Sequence, residues 1–479
     1  MVGLPRSRGC LNCRRSKKSC PLEPGACSRC ISKGLECGGY ERERVFLHHD
    51  QNTEANSITV TYRKQQVKPP SPPSSFSPAL LPLSTSMKLA QTAFVDNYIG
   101  LFLSNYLPTG IPTHTSRWSR QCSWIEEAYN QHRSARVLEL SLLSLGLYTA
   151  GEPKLALKTY GLALAQLNSA LGSRNGPKDN YIFAACKFMC LFEVFHGDSN
   201  DKVPQSYRWF GHTRGQAAIL ASRGPCDYQS GLSHQLFLDT RYPLLILAVS
   251  TRQRFQFNTA EWRTLPWAQN PKSQHEKLLD ILADLTEILA DTDQMRACES
   301  AIADGHLSSE DLVASCYKLD DTLRKWFLES VPLKEFQDVG GTVNGPLDGE
   351  DINFAHSTIL FWTTTLILHA TMASLLNIPM SECPSEIDPK PYLRKLAIAL
   401  PYFWTPMAGS RGTSMAAFPL GAAFEVAQSA PAHFAFELAL LIKLITRTDG
   451  QTIKKFLSSI QKTTAGLALT GSSHEVPKC

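Results

Sequence analysis

Apolar positions follow a helical period only in the part of the chain after residue 86. From Met87 to Tyr106 they recur at intervals of three and four residues, and Pro108 ends the pattern. The residues predicted to share the buried face of this helix are Phe94, Tyr98, Leu101 and Phe102. Because an amphipathic helix of this kind packs against other helices, the pattern marks the start of a helical domain.

The stretch from Ala135 to Ala150 is apolar on nearly every side and is predicted to be a central helix. Gly and Pro residues separate the segments that follow, as is typical of antiparallel neighbours. Further helices are predicted at 155–171, 181–195, 207–222, 232–249, 273–291, 309–329, 353–376, 390–404, 415–428, 432–447 and 451–464. Strand patterns are sparse, so residues 87–470 are predicted to form one large all-α domain, with 338–351 as its longest internal loop and 471–479 as a tail.

The most apolar long stretch, Ile359 to Leu376, contains four Thr, one Ser and one His. These polar residues favour a buried helix over a membrane span, so no membrane partner is expected. The N-terminus has no apolar run of the kind that a secretory signal requires, which indicates a reducing compartment.

Residues 41–86 differ from the domain that follows them. The stretch 68–75 holds four prolines in eight residues, which excludes a regular helix there. No heptad repeat is sustained between residues 41 and 86, so a dimerising coiled coil is not indicated and a homodimer is left open. This segment is predicted to be a flexible Pro/Ser-rich linker.

Six cysteines near the N-terminus form a doubled C-x2-C-x6-C unit. They are Cys10, Cys13, Cys20, Cys27, Cys30 and Cys37. In a reducing compartment such spacing indicates metal ligands rather than disulfides. Two tetrahedral zinc ions need eight sulfur positions, so two of the six thiolates must bridge, and the first cysteine of each half is the natural choice. One ion would be held by Cys10, Cys13, Cys20 and Cys27, and the other by Cys10, Cys27, Cys30 and Cys37.

Positive charge is concentrated around these cysteines. Residues 1–48 contain ten Lys and Arg against four acidic residues, an excess of six, so the remainder of this +5 chain has a net charge of −1. The basic run consists of Arg14, Arg15, Lys17 and Lys18, on a short helix predicted at about 11–18. The matching second half carries Ile31 and Leu35 and is predicted to pack rather than to bind. A basic helix fits the major groove of double-stranded DNA, and the run also resembles a nuclear-import patch.

These residues resemble the fungal Zn2Cys6 binuclear-cluster transcription factors. The cysteine spacing, Arg14, Lys17 and the segment 37–40 carry the resemblance, whereas Ser16 and Ser19 stand where the family usually has cations. The resemblance implies two Zn²⁺ ions, base contacts to a CGG triplet by Lys17, and phosphate contacts supported by Arg14. The module would then span residues 10–40, after a basic tail at 1–9.

The stretch 211–225 resembles the regulatory domain that often accompanies this cluster in fungal transcription factors. Its matching residues are His212, Gly215, Ala217, Arg223, Gly224 and Pro225. The chain is therefore predicted to be a small metal-folded Zn2Cys6 module joined by a Pro-rich linker to a large all-α domain. Its predicted function is sequence-specific DNA binding in the nucleus to regulate RNA polymerase II transcription, with the transcription machinery or co-regulators as protein partners.

Two alternative functions are compatible with parts of this sequence to different degrees. An interaction or scaffold protein without sequence-specific DNA binding would use the same zinc module for protein contacts. An enzyme is not indicated, because the sequence lacks GxSxG, HExxH and P-loop motifs. His212, the pair Cys186 and Cys190, and the aromatic residues are interpreted as structural. The aromatic residues concerned are Trp118, Trp124, Trp209 and Phe210.

Overall fold

The structure is a computed structural model, and its described residues fall into two compact units divided after residue 81. The described residues are 10–16, 18–21, 27–35, 37, 85–107, 119–196, 205–298, 308–330, 337–339, 342–344, 349–446 and 454–460. The predicted tails at 1–9 and 471–479, and the linker up to residue 84, lie outside these residues.

The first unit contains two short helices, α1 (Leu11–Arg15) and α2 (Ser28–Ile31). In the part of the second unit that the structure describes, the regular elements are helices and one small hairpin. Its helices are α3 (Thr85–Tyr106), α4 (Ser119–Asn130), α5 (Arg136–Thr149), α6 (Pro153–Leu171), α7 (Asn180–Phe195), α8 (Gln205–Arg223), α9 (Gly231–Thr251), α10 (Ala260–Thr264), α11 (Gln274–Cys298), α12 (Ser309–Glu329), α13 (Gly349–Leu375), α14 (Lys390–Ala399), α15 (Gly409–Ser429) and α16 (Ala435–Thr446), with a last helical segment at 454–460.

Two long helices organise the packing of the second unit. Helix α5 contacts α3, α6 and α7, and it is buried on nearly every side, as its apolar sequence predicts. Helix α13 has the same role among α11, α12, α14 and α15. Helix α9 joins the two groups, since it contacts α4, α7 and α8 on one side and α11 on the other. The predicted all-α domain is confirmed.

The face that α3 buries differs from the predicted one. Phe102 is buried as expected, but Phe94 is 48% exposed and Leu101 is 40% exposed, while Ile99 is fully buried. The close approach of α5 explains the difference. A Cβ on Gly146 of α5 would lie 2.3 Å from the backbone oxygen of Tyr98, so the glycine sets which side of α3 faces inward.

Three elements were not predicted from the sequence. Helix α4 follows a segment whose pattern is interrupted by polar residues, and α10 has only five residues. The predicted loop 338–351 overlaps an antiparallel hairpin of β1 (Gln337–Val339) and β2 (Thr342–Asn344), in which Gln337 pairs with Asn344. Strands of three residues are too short to give a clear alternating pattern.

The most apolar stretch is a core helix, as predicted. Residues Ile352–Leu375 are long and apolar enough to cross a membrane, but 78% of their most apolar window is buried inside the domain. Three adjacent threonines there are satisfied within the helix. The hydroxyls of Thr363, Thr364 and Thr365 each donate to the carbonyl oxygen four residues earlier, at 2.6, 2.8 and 3.0 Å.

Candidate metal and nucleic-acid-binding site

The doubled cysteine sequence folds into two matching halves. Helices α1 and α2 each begin one residue after the first cysteine of their half. In the first half the amide of Cys10 donates to Cys20 Sγ, and in the second the amide of Cys27 donates to Cys37 Sγ, both at 3.4 Å. The repeat in the sequence is therefore a repeat in space, and both halves turn their sulfurs inward.

The six sulfur atoms converge into two overlapping groups of four. One group comprises Cys10, Cys13, Cys20 and Cys27, and the other comprises Cys10, Cys27, Cys30 and Cys37; within each group all sulfurs lie within 4.8 Å of one another. The groups share the two cysteines that the spacing assigns as bridges. The Sγ atoms of Cys10 and Cys27 are 3.6 Å apart, and those of Cys13 and Cys27 are 3.8 Å apart. Tetrahedral zinc with bonds of about 2.3 Å places its sulfurs about 3.8 Å apart, so the geometry fits two zinc ions.

The close packing of the thiols also favours the binding of a cation among them. Burial, with hydrogen bonding from neighbouring thiols, raises the pKa of Cys13 to about 12, and burial raises the pKa of Cys27 and Cys30 as well. Thiols held this closely together lose their protons when a divalent ion supplies compensating charge. Sites built only from thiolates have no open position for substrate and are structural.

Both short helices end through the same backbone contact. The amide of Lys18 donates to the carbonyl of Cys13 at 3.0 Å, and the amide of Leu35 donates to the carbonyl of Cys30 at 2.9 Å. In the second half Gly34 adopts the left-handed conformation that this Schellman-type cap needs, with φ of 64°. The caps end α1 at Arg15, so the helix predicted at 11–18 is shorter than expected. In the sequence, Gly34 was the available indication of this cap, and it lies in the second half only.

The basic run lies on and just after α1. The side chains of Arg15 and Lys18 are exposed, as phosphate contacts require. Arg14 belongs to α1, but its side chain and the whole of Lys17 lie outside the described residues. The sequence did not indicate the role of Arg29, whose guanidinium donates to the carbonyl of Ser19 at 3.3 Å and so links the second half to the first.

The prediction that the second half packs through its apolar residues is wrong. Ile31 is 63% exposed and Leu35 is 53% exposed. The buried side chains among the described residues of this unit are Cys10, Cys13, Cys27 and Cys30. Because sulfur occupies the interior of the described part of the module, Ile31 and Leu35 meet no apolar core there.

Two family models match the chain. The model of the fungal Zn(2)-Cys(6) binuclear cluster domain matches residues 8–44, and that of the fungal specific transcription factor domain matches residues 132–398. The chain belongs to the fungal zinc-cluster transcription factors. No curated protein and no solved structure matches it. This zinc-cluster factor is accordingly a DNA-binding transcription regulator that carries two zinc ions, and it is not an enzyme.

The last residues of the stretch 211–225 in the zinc-cluster factor join two helices through Arg223 and the turn after it. The guanidinium of Arg223 donates to the carbonyls of Pro177 and Asp179 at 2.5 and 2.9 Å, and to Asn180 Oδ1 at 2.6 Å. Gly224 then takes φ of 80°, a value that side chains disfavour. Arg223 thus fixes the start of α7 to the end of α8.

His212 is part of a buried hydrogen-bonded network in the same domain. Its Nε2 lies 2.7 Å from Tyr160 Oη, and that hydroxyl donates to Glu193 Oε1 at 2.6 Å. The carboxylate of Glu193 also accepts from Arg208 Nε at 2.8 Å. Burial, aided by Arg208, lowers the pKa of His212 to about 4, so the ring is neutral at physiological pH. These contacts support the structural role predicted for His212.

The remaining singled-out residues lie in the core. Cys186 and Cys190 are buried on α7, and burial raises their thiol pKa values to about 12 and about 11. Thiols protonated in this way are poor nucleophiles, as the packing interpretation expects. Trp124, Trp209 and Phe210 are also buried, whereas Trp118 lies outside the described residues.

Proposed function

We propose that the zinc-cluster factor reads CGG-type DNA triplets and thereby regulates transcription by RNA polymerase II. The observation that carries the proposal is the pair of exposed cations Arg15 and Lys18 next to a sulfur cluster whose geometry fits two zinc ions. Cys13 lies on α1 and in one of the two sulfur groups, so the cluster fixes this helix, and a short basic helix fits the major groove.

The basic residues divide into two roles in this proposal. Lys17, as in the family that the module resembles, contacts the guanine edges of the triplet. Arg14, Arg15 and Lys18 contact phosphates, which orient the module without reading sequence. Ser16 cannot add a cation, and its hydroxyl donates instead to the carbonyl of Asn12 at 2.8 Å. Fewer cations imply weaker anchoring on any duplex.

The test compares Lys17→Ala with Arg14→Ala on a CGG duplex and on a scrambled duplex. We expect Lys17→Ala to lower affinity for the CGG duplex about 10-fold and to leave the scrambled duplex nearly unchanged, since a lost base contact costs discrimination. Arg14→Ala should weaken both duplexes equally and reduce the salt slope of log K by about 0.9, the value for one phosphate contact.

Lys33→Ala is the matched control, because Lys33 is an exposed lysine on the second half of the module. It should leave both affinities and the salt slope unchanged. Equal losses on CGG and scrambled duplexes for Lys17→Ala would contradict its assignment as the base-reading residue.

The remaining assignments belong to the same proposal. The six cysteines are the zinc ligands, with Cys10 and Cys27 bridging. The module spans residues 10–40, the linker 41–86 and the regulatory domain 87–470. The factor acts in the nucleus, and its regulatory domain contacts the transcription machinery or co-regulators. Binding-site selection from random DNA would return the triplet, and the presence or absence of a fixed second triplet would report whether it binds as a homodimer.

A second candidate function is supported by one observation. The exposure of Ile31 and Leu35 gives the second half of the module an apolar surface of the kind that protein interfaces use. In that case the zinc module would contact a protein and would not read DNA sequence. Genome-wide footprinting separates the two, since discrete peaks that share a triplet support DNA reading and their absence supports the interaction role.

A further inference from the structure

The helical domain encloses a cavity of about 1260 Å³ that no predicted role explains. It lies between the α5 and α13 groups of helices and is lined by residues of α4, α7, α8, α9, α11, α13 and α15. Much of the wall is apolar and includes Ile125, Phe188 and Ile246. The cavity reaches the surface near Arg214 and Glu425, which are exposed. A space of this size and character accommodates a small organic molecule.

Buried charges stand at one side of this cavity. Lys187 Nζ lies 2.7 Å from Asp239 Oδ2 and also donates to Thr240 Oγ1 at 3.1 Å. Arg411 approaches the same carboxylate more loosely, with its Nη2 at 3.9 Å from Oδ1. A quarter of the Asp239 side chain is accessible, although both cations are nearly buried. One carboxylate therefore faces two cations, and Lys187 makes the tighter contact with it.

The other charged residues of the wall do not reverse this excess. Glu276 is paired with Arg241, and Asp293 is paired with Arg252 at 2.7 Å. The charges then left are those of Lys187, Arg214, Arg296 and Arg411 against Asp239 and Glu425. The cavity thus presents a net positive charge, which attracts an anion and disfavours a cation.

Buried polar atoms of the cavity wall add hydrogen-bonding capacity. His356 Nε2, Ser414 Oγ and Gln216 Oε1 are buried, line the cavity and have no hydrogen-bond partner among the described residues. Arg411 and Ser414 lie three residues apart on α15, so they share a face of that helix. Burial, with the nearby charge of Arg411 and the ring of His275, lowers the pKa of His356 and keeps it neutral. Buried polar atoms of this kind are usually satisfied, and these can be satisfied by a polar group inside the cavity.

Two prolines each remove one backbone hydrogen bond from a helix that borders the cavity. Pro243 in α9 and Pro419 in α15 cannot donate to the carbonyls four residues earlier, which belong to Asp239 and Met415. The hydroxyl of Tyr242 donates to the Met415 carbonyl at 3.0 Å and so replaces the missing bond. Prolines inside buried helices cost stability. Their position beside the charged wall indicates that the cavity is a built feature of the domain.

We propose that this cavity binds a small organic anion, namely a carboxylate with an apolar body. The head group contacts Arg411, with Ser414 and His356 as hydrogen-bonding partners, and the body lies along the apolar wall. The tighter Lys187–Asp239 pair stays intact and orients Arg411. The site is independent of which DNA sequence the zinc module reads.

The test uses 11-(dansylamino)undecanoate and its methyl ester, which share one fluorophore and one body and differ in charge. Each is titrated into the full-length, zinc-loaded factor while dansyl fluorescence is recorded. We expect the carboxylate to bind at least 10-fold more tightly than the ester. Arg411→Met should remove most of that difference, and Ser414→Ala should reduce it about 3-fold, with ester affinity unchanged in both.

Arg174→Met is the matched control, because Arg174 is exposed and lies away from the cavity wall. It should bind both probes as the unmodified chain does. Equal affinity for acid and ester would overturn the proposal in favour of a purely apolar site, and no binding of either probe would overturn it altogether. If Arg411→Met fails to fold, the mild Ser414→Ala variant still decides between these outcomes.

Discussion

The two units of the zinc-cluster factor fill their interiors with different material. Among the described residues of the first unit, the buried side chains are cysteines alone, and the large apolar side chains of Ile31 and Leu35 are exposed. In the second unit the interior is a continuous cluster of aliphatic and aromatic side chains, organised by α5 and α13. One unit thus depends on metal–sulfur bonds, and the other depends on buried apolar surface.

The difference shows that the length of a folded unit determines whether metal binding or burial of apolar surface stabilises it. A segment of about thirty residues cannot bury enough apolar area to offset its conformational entropy, whereas structural zinc contributes on the order of 10 kcal/mol. The helical domain is long enough to form a core, so it tolerates a costly feature such as the charged cavity. The two units should therefore respond to different perturbations, and four experiments test this.

The largest effect is expected from removal of zinc. A strong chelator should reduce DNA affinity of the full-length factor by about 100-fold or more, because the module loses the binding energy that folds it. The thermal transition of the helical domain should move by less than about 2 °C, since the described core of that domain is formed by aliphatic and aromatic side chains. Anisotropy with a labelled duplex and circular dichroism measure the two effects. A matching fall in the helical transition would show that the units do not have separate sources of stability.

Single cysteine replacements should separate bridging from terminal ligands. Cys27→Ala removes a ligand from both sulfur groups and should leave less than one zinc ion per chain, whereas Cys20→Ala affects one group and should leave about one. Zinc content by mass spectrometry measures this. Cys226→Ala, an exposed cysteine outside the module, is the control and should retain two ions. Equal losses in the two module variants would contradict the bridging assignment.

Arg223→Lys should weaken only the helical domain. Lysine keeps the charge but cannot reach the three acceptors that the guanidinium joins, so we expect a loss of about 2–4 kcal/mol in unfolding free energy. Urea unfolding followed by circular dichroism gives the value, with Arg174→Lys as the control. Unchanged zinc content would show that the loss is confined to this unit, and unchanged stability would contradict the role of the network.

The smallest effect is a pH dependence specific to the helical domain. The pKa of His212 falls from 6.5 to about 4 on folding, so the unfolded chain binds a proton over this range and the folded chain does not. The contribution of His212 to the unfolding free energy is therefore fully present above pH 6.5. It declines by about 1.4 kcal/mol per pH unit as the pH falls from 6.5 toward 4. Urea midpoints at pH 7.0 and 5.5 measure the decline. His212→Gln should make it shallower, and an unchanged slope would contradict the assignment.

Some features of the fold could be predicted from short-range patterns alone. The bounds of α7 and α12 follow from apolar periodicity and from Gly or Pro at the ends, and the buried state of α13 follows from its composition. The buried face of α3 could not be predicted, because it depends on a residue of another helix. Gly146 of α5 lets the two helices approach closely at Tyr98, and this contact determines which side of α3 is buried. The exposure of Ile31 and Leu35 was mispredicted for a related reason, since apolarity implies burial only where an apolar core exists.

The sequence by itself determined the chemistry of the DNA-binding end and the helical class of the rest. The reason is that metal-ligand spacing and helical periodicity are local patterns, because each involves residues that are close together in the sequence. Only the tertiary structure decided that Lys187, Asp239, His356 and Arg411 meet beside one cavity, because residues that far apart in sequence are brought together by packing alone. In the other unit, only the tertiary structure decided that the sulfur cluster leaves Ile31 and Leu35 exposed to solvent.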